Sequence, residues 1–304
     1  MPSLWKFGGL TPLRLVQLGI RKLGEDELST RSAALSYYFL LSLFPMLLFV
    51  VSLLGLLAGP GSQLRESITA ALGRLAPGSA SALVHNVVTQ TSTNSSGVKL
   101  AAGILGALWA ASGGMGGVVD SLNVIYRVKE SRAWWKQKAT IIGLTLALSV
   151  LIIVALVLAL YGGKIGQLVA SEIGLGEVFR VAWKILQWLI SFFAMFLSYS
   201  TVYYFAPDLG DERKWHWVTP GAVTGVALWL IASFGLRVYL HFFDRYSATY
   251  GSLGAVVILM LWLYITGFAI LFGGEINWII ENEDRKAAKL EAQKSAFEAK
   301  IKTA

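Results

Sequence analysis

The chain has 304 residues, of which 55% are hydrophobic and 14% are charged, and its mean hydropathy is +0.61. A soluble fold of this length cannot bury so much apolar surface, so lipid has to cover the remainder. The chain has no cysteine, which excludes disulfides, thiolate metal sites and cysteine nucleophiles. Its three histidines stand apart from one another and from any acidic cluster, so we expect no metal and no cofactor.

The N-terminal segment predicts a short amphipathic helix. Thr11 is a suitable N-cap, and Pro12 suits the first helical turn. The helix would carry an apolar face with Leu13, Val16, Ile20 and Leu23 and a polar face with Arg14, Gln17 and Arg21. Such a helix either lies on the membrane surface or packs on the cytoplasmic end of a helix bundle, and the sequence does not choose between these.

Six segments are long and apolar enough to cross a bilayer as helices. The last, from Tyr246 to Gly274, contains no charged side chain and would extend about 43 Å. The six predicted crossings cover approximately residues 33–58, 100–122, 139–163, 185–206, 217–240 and 250–277. We therefore predict an all-α polytopic membrane protein, with one transmembrane domain over residues 1–281. The basic tail, 282–304, is either a solvated helix or a disordered end.

The first predicted crossing contains Pro45, which leaves the carbonyl of Leu41 without its partner in the helix. A kink near the middle of the membrane follows, either as a hinge or as a static feature of packing. Ser36 and Ser42 are near enough to bond the freed backbone groups. After this crossing, the polar stretch 59–98 contains two apolar patterns at helical spacing, which predict two short amphipathic helices in the first extracytoplasmic loop.

Small residues line the second predicted crossing at spacings of four. They are Ala102, Gly106, Ala110 and Gly114. Such a stripe lets another helix approach closely, because helices in lipid associate through packing. A central position in the bundle is therefore predicted for this helix.

The second and sixth crossings share a pattern, a Gly-Gly pair followed by an acid and an asparagine. The acids and amides are Asp120 with Asn123 and Glu275 with Asn277. We predict that the two helices pack together and that the acids lie at a shared cytoplasmic mouth, close to Arg127 or another loop cation. The mouth is either a gate or an ion-paired cap on the bundle.

A polar stripe ends the fifth predicted crossing, where Arg237, His241 and Asp244 share one helical face. Arg237 either binds an anionic group or snorkels to the interface and pairs with Asp244.

The net charge of +8 would fit a nucleic-acid partner if the basic residues formed one patch. They instead alternate between loops: 18 Lys and Arg lie in the N-terminus, the loops after helices two and four, and the tail, against 8 in the other loops. By the positive-inside rule both termini are cytoplasmic. Membrane lipids are therefore the expected partners, and nucleic acid is not.

Several longer motifs occur in a fixed order along the chain. They are AALSYYFLLSLFPMLLF from Ala33, SGGMGGVVDSLNVIY from Ser112, YFAPD from Tyr204, TPGAV from Thr219, and YGSLGAVVILMLWLY from Tyr250 with LFGGEIN up to Asn277. Together they resemble the YihY/BrkB family of bacterial inner-membrane proteins, over about 13–281. The resemblance implies a six-helix membrane protein tied to envelope or virulence phenotypes and suspected of transport. Some members carry the label "ribonuclease BN", which this sequence does not support because it lacks a histidine-rich metal site.

Three classes of function fit these observations to different degrees. A transporter or exporter of a lipid or solute accounts for the proline kink, the glycine-rich helix and the ionisable groups at helix ends. A non-transporting envelope scaffold or assembly factor accounts for them too. An enzyme is disfavoured because no nucleophile–base pair or metal set is visible.

We therefore expect a transporter in the bacterial inner membrane. An anionic lipid or amphiphile is the expected substrate, and the architecture allows a homo-oligomer. The candidate pathway or gate residues are Asp120, Asn123, Glu275, Asn277, Arg237 and Pro45.

Overall fold

The computed structural model describes residues 4–57, 97–173, 177–210, 215–242 and 246–303, and every regular element within them is a helix. A 3₁₀ helix covers Leu4–Gly9. The α-helices are α1 (Pro12–Glu25), α2 (Leu28–Leu57), α3 (Gly97–Ile125), α4 (Trp134–Ile173), α5 (Glu177–Phe205), α6 (Pro220–Phe242) and α7 (Tyr246–Thr303). The predicted all-α class is confirmed for this part of the chain. The two short helices predicted in the first loop fall outside the described residues.

Four segments within the described residues are long and apolar enough to cross a membrane. They are Trp134–Ala155, Ala182–Phe205, Pro220–Leu240 and Val256–Ala296. These segments coincide with the predicted third to sixth crossings. The predicted first and second crossings, carried by α2 and α3, are not among the four, so the count of six stays a prediction.

Helix α7 continues without interruption through the predicted sixth crossing and the basic tail. It has 58 residues, from Tyr246 to Thr303. Side chains beyond Asp284 are mostly exposed, whereas those between Leu271 and Ile280 are mostly buried. The tail is therefore an exposed helix, and its solvation stays a prediction.

The chain divides into two compact units whose boundaries fall inside α2, α3 and α5. Unit one consists of Met1–Ser36, Val118–Ser131 and Met195–Ala304. Unit two consists of Tyr37–Gly117 and Arg132–Ala194. Three helices therefore contribute one part to each unit.

In unit one, α1 packs along α7 through a face that the sequence did not single out. Thr11 Oγ1 accepts a hydrogen bond from the Arg14 N–H (3.3 Å) and caps α1, as predicted. Leu15 is buried against α7, and a Cβ placed on Gly19 would lie 3.1 Å from Ile276 Cδ1. The predicted apolar face remains largely exposed, at Leu13, Val16 and Ile20. Helix α1 therefore contacts α7 and still presents apolar side chains outward.

The two glycines of the Gly-Gly pair in α7 lie against two different helices of unit one. A Cβ on Gly273 would lie 2.4 Å from the carbonyl oxygen of Gly221, so α6 and α7 approach each other closely at their backbones. A Cβ on Gly274 would lie 2.6 Å from Leu122 Cδ2, which places the last turns of α3 against α7. Only hydrogen fits at either position without displacing a neighbour.

In unit two, the glycines of α3 face α2 and α4. The N–H of Gly114 donates a hydrogen bond to Ser42 Oγ (2.7 Å), and a Cβ on Gly116 would lie 3.7 Å from the Ile141 side chain. Helix α2 runs through Pro45. Ser42 therefore bonds the backbone of a neighbouring helix, and Ser36, the other expected partner of the freed carbonyl, donates to the carbonyl of Ala33 (2.7 Å).

Candidate functional site

Helix α3 ends in unit one with an arginine where glycine is usually found. The N–H of Val128 bonds the Asn123 carbonyl (2.9 Å), and the N–H of Arg127 bonds the Val124 carbonyl (3.0 Å). This pattern is a Schellman motif, whose C′ residue adopts the left-handed conformation. Arg127 has φ 56° at that position. A side chain there costs about 1 kcal/mol or more, so its contacts have to offset the strain.

The guanidinium of Arg127 makes those contacts with an acid and an aromatic ring. Its Nη2 donates to both carboxylate oxygens of Asp26 at 3.3 Å, and Asp26 is only 9% exposed. Its Cζ lies 4.6 Å from the ring centroid of Trp278, and Lys22 Nζ lies 5.5 Å from the same centroid. Both cations are within the range of cation–π attraction.

The link between α1 and α2 is strained as well. Glu27 has φ 51°, and the carbonyl of Asp26 accepts a hydrogen bond from Arg31 Nε (3.1 Å). Lys22 donates to Glu25, and this hydrogen bond lowers the pKa of the Glu25 carboxyl. The Asp26–Arg127 ion pair therefore joins two backbone turns that both hold a non-glycine residue at positive φ.

Glu275 lies on α7 beside this ion pair. Its side chain is 0% exposed, and within the part of the chain that the structure describes neither carboxylate oxygen has a hydrogen-bond partner. The charged groups that act on it are Asp26, Lys22 and Arg127, with Asp26 close by but outside hydrogen-bond geometry. A buried carboxyl group without a partner is costly and uncommon in proteins. We call Lys22, Asp26, Arg127, Glu275 and Trp278 the charged cluster.

Asn277, two residues after Glu275 on α7, acts as a helix cap. Its Oδ1 accepts a hydrogen bond from the N–H of Gly221 (2.8 Å), and its Nδ2 donates to Thr219 Oγ1 (3.0 Å). The same hydroxyl oxygen accepts from the N–H of Ala222 (3.0 Å), so both side chains bind orphan donors at the start of α6. Burial raises the pKa of the Tyr126 phenol well above its ordinary value.

Asn123 ties together two loops of unit one. Its Nδ2 donates to Glu130 Oε2 (2.9 Å), and its Oδ1 accepts from the N–H of Asp208 (2.8 Å). Asp208 in turn accepts from the N–H (2.8 Å) and the Oγ (2.6 Å) of Ser131. Asn123 therefore holds the segment after α3 against the turn after α5.

The other candidate residues are not members of the charged cluster. Asp120 and Arg237 are exposed, and Pro45 belongs to unit two. The side chain of His241 and the whole of Asp244 lie outside the described residues, so the stripe predicted for the end of α6 stays a prediction. Of the predicted residues, Glu275 and Arg127 come together in the charged cluster, with Asn277 nearby.

Lys22, Asp26 and Trp278 were missed by sequence reasoning. One signal for them exists: Glu25, Asp26 and Glu27 are three consecutive acids at the C-terminal end of a helix, where the helix dipole disfavours negative charge. Acids at such a position need cations from elsewhere in the fold. Within the part of the chain that the structure describes, no group of three or more His, Asp or Glu residues could hold a metal ion.

The chain is similar to a known protein family and to individual proteins over most of its length. The family model described as "Virulence factor BrkB" matches residues 20–298. The chain is 38% identical to the "Putative ribonuclease-like protein YfkH" of Bacillus subtilis, over 85% of this chain and 92% of that protein. It is 26% identical to the UPF0761 membrane protein VP0125 of Vibrio parahaemolyticus, over 93% and 87%.

A third relative is considerably longer than this chain. The UPF0761 membrane protein RSc1559 of Ralstonia nicotianae is 27% identical over 86% of this chain, but the match covers only 57% of that protein. No solved structure matches the chain.

Proposed function

The chain belongs to the BrkB family of membrane proteins, and from that premise we propose that it is a transporter or exporter that moves a lipid or small solute across the bacterial inner membrane. In this proposal the protein crosses the membrane six times with both termini in the cytoplasm. The charge distribution supports that orientation, with 18 Lys and Arg in the segments assigned to the cytoplasm against 8 elsewhere.

Glu275 is the observation that carries the proposal. It lies within the Val256–Ala296 segment and is 0% exposed, and neither of its oxygens has a hydrogen-bond partner among the described residues. Leaving such a group unsatisfied costs about 1–3 kcal/mol or more, and a merely structural helix would be more stable with an apolar residue there. Ionisable residues kept inside a membrane segment commonly mark a pathway for substrate or ions.

The neighbours of Glu275 suggest how a substrate would engage. Lys22 and Arg127 provide two cationic side chains, and Arg127 forms an ion pair with Asp26 in the structure. An anionic lipid or amphiphile could replace Asp26 at Arg127, because its charge and hydrogen-bonding capacity match those of a carboxylate. Opening this one ion pair would also release the two strained turns at Glu27 and Arg127. The charged cluster would then act as a gate.

A non-transporting scaffold is the second candidate. The part of α7 beyond Asp284 favours it, because this helix is exposed and offers a docking surface. A scaffold does not account for Glu275. For ribonuclease activity, which the name of the Bacillus subtilis relative mentions, the described residues include no group of three or more His, Asp or Glu side chains that could hold a metal ion, and we propose that the purified protein leaves RNA intact.

Reconstitution of the purified protein in liposomes tests the proposal. Vesicles would carry a fluorescent phosphatidylglycerol as an anionic lipid probe and a fluorescent phosphatidylcholine as a zwitterionic one. A membrane-impermeant quencher then reports how fast each probe changes leaflet, and an entrapped dye reports leakage. Faster exchange of the anionic probe than in protein-free vesicles, without leakage, supports transport. Exchange equal to that of protein-free vesicles for both probes, together with normal folding, favours the scaffold.

A further inference from the structure

Unit one also contains a cavity of about 390 Å³ that shares no residue with the charged cluster. Its inner wall is formed by buried residues, among them Tyr126, Ser200, Tyr203 and Asn277. Exposure increases towards Arg285, so the cavity opens to the outside along α7. Its volume lies within the range of about 300–1,000 Å³ that is typical of small-molecule sites.

Ser200 places a hydroxyl group on the inner wall of the cavity, and the hydrogen-bonding capacity of this hydroxyl is unused within the described part of the chain. Its side chain is 2% exposed, and no described residue forms a hydrogen bond with its Oγ. Serines on helices usually satisfy a buried hydroxyl by donating to a carbonyl of the preceding turn, as Ser191 does with Gln187 (2.9 Å). A buried hydroxyl that forgoes this bond and lines a cavity is available to a ligand.

The opening of the cavity carries an excess of negative charge. Arg285 Nη2 lies 3.6 Å from Glu281 Oε2, so these two charges offset each other. Asp284 has no ion-pair partner among the described residues, and His216 is the remaining titratable group on the wall besides the tyrosines. Tyr126, Tyr203 and Tyr204 line the same cavity as Asp284 and Ser200. Aromatic faces with one free carboxylate favour a cation over an anion.

We propose that this cavity binds a small organic cation, an ammonium group with a hydroxyl or other hydrogen-bonding group attached. The ammonium group lies between Asp284 and the tyrosine rings, and the hydrogen-bonding group reaches Ser200 Oγ. A free amino alcohol and the headgroup of a choline-type lipid both have this chemistry. The site goes beyond the proposed function, since it uses none of the residues of the charged cluster.

Choline and its uncharged carbon isostere, 3,3-dimethyl-1-butanol, provide a matched pair of probes. Binding of radiolabelled choline to the full-length protein in detergent should be saturable, and the isostere should compete at least about tenfold more weakly because it lacks the charge. Choline that binds in phosphatidylglycerol nanodiscs but is excluded in phosphatidylcholine nanodiscs identifies the lipid headgroup as the occupant. Equal binding in both identifies the free amine. No saturable binding, or equal competition by the isostere, overturns the proposal.

Substitutions locate the site. Asp284→Asn should weaken choline binding about fivefold, whereas Glu291→Gln, the same loss of charge further along α7, should leave it unchanged. Ser200→Ala should weaken binding about threefold without lowering the thermal midpoint, because the hydroxyl has no partner in the fold. Glu275→Gln should bind choline like the wild type, so the result does not depend on whether the protein transports. Equal affinities for Asp284→Asn and Glu291→Gln would show that the cation does not bind here.

Discussion

At Arg127, favourable contacts of the charged side chain oppose the cost of an unfavourable backbone conformation. Its left-handed conformation favours glycine, yet its guanidinium neutralises a nearly buried Asp26 and covers Trp278. Removing the arginine relieves no strain unless glycine replaces it, and in either case Asp26 is left buried without its cation. The side chain therefore stabilises the junction of α1, α3 and α7 at the expense of local backbone strain.

A double-mutant cycle on Asp26 and Arg127 should show this coupling. Arg127→Ala should lower the thermal midpoint in detergent more than Asp26→Asn does, because it leaves an unpaired, nearly buried carboxylate. The double variant should be more stable than the sum of the single effects predicts, with a coupling of about 1 kcal/mol, since Arg127 itself is half-exposed. Additive effects would mean that the ion pair contributes nothing to folding.

Substitutions at Asn277 can show whether this residue caps α6 or takes part in the proposed gate. Asn277→Ala should destabilise the protein by about 1–2 kcal/mol, because it removes the acceptor for the Gly221 N–H at the start of α6. Asn277→Asp keeps that acceptor and should lose less stability, although it no longer donates to Thr219. Thermal midpoints of the two variants, measured against the wild type, check the order. A midpoint for Asn277→Ala equal to that of the wild type would contradict a capping role.

Helix α1 packs against another helix and also keeps an apolar face exposed. The sequence had presented packing on the bundle and a position on the membrane surface as alternatives. Leu15 and Gly19 contact α7, while Leu13 and Ile20 are 70% and 58% exposed. We infer that the exposed face lies in the lipid interface, because apolar side chains flanked by Arg14 and Arg21 are typical of such helices. Helix α1 would then be held between α7 and the membrane surface.

Spin labels can test the position of α1, since the natural chain has no cysteine to remove. In liposomes, a label on a cysteine at Ile20 should collide more with oxygen than with a water-soluble nickel complex. A label at Gln17, which is also exposed, should show the reverse. Equal water accessibility at both positions would place the exposed face of α1 in solvent.

The sequence predicted the helical class and the proximity of Glu275 and Arg127, but not the presence of Lys22, Asp26 and Trp278 beside them. Long apolar runs, a capping threonine and glycine pairs are local signals, and each was read from its own segment. Contacts between distant segments leave no such signal: Asp26 and Arg127 are 101 residues apart. The role of Gly274 was close to the prediction, since it faces α3 at Leu122, whereas Gly114 of α3 faces Ser42 instead of α7.

For the whole molecule, the predicted count of six crossings rests on the long apolar segments, and the predicted cytoplasmic position of both termini rests on the distribution of Lys and Arg. Single cysteines introduced on opposite sides of the membrane should therefore differ in their reaction with an impermeant thiol reagent. A cysteine at Ser95 should react with an impermeant thiol reagent added to intact cells, and a cysteine at Gln137 only after the membrane is opened. The reverse pattern would invert the orientation, and labelling of both in intact cells would change the number of crossings between them.

Transport through the charged cluster is the central claim, and lipid exchange by the Glu275→Gln variant in liposomes tests it most directly. The substitution keeps the shape of the side chain and removes its ionisable carboxyl group, and Glu291→Gln makes the same change in the exposed part of α7. We predict that Glu275→Gln folds normally and slows exchange of the anionic lipid probe at least about tenfold, whereas Glu291→Gln matches the wild type. Wild-type exchange rates in a folded Glu275→Gln variant would contradict the claim.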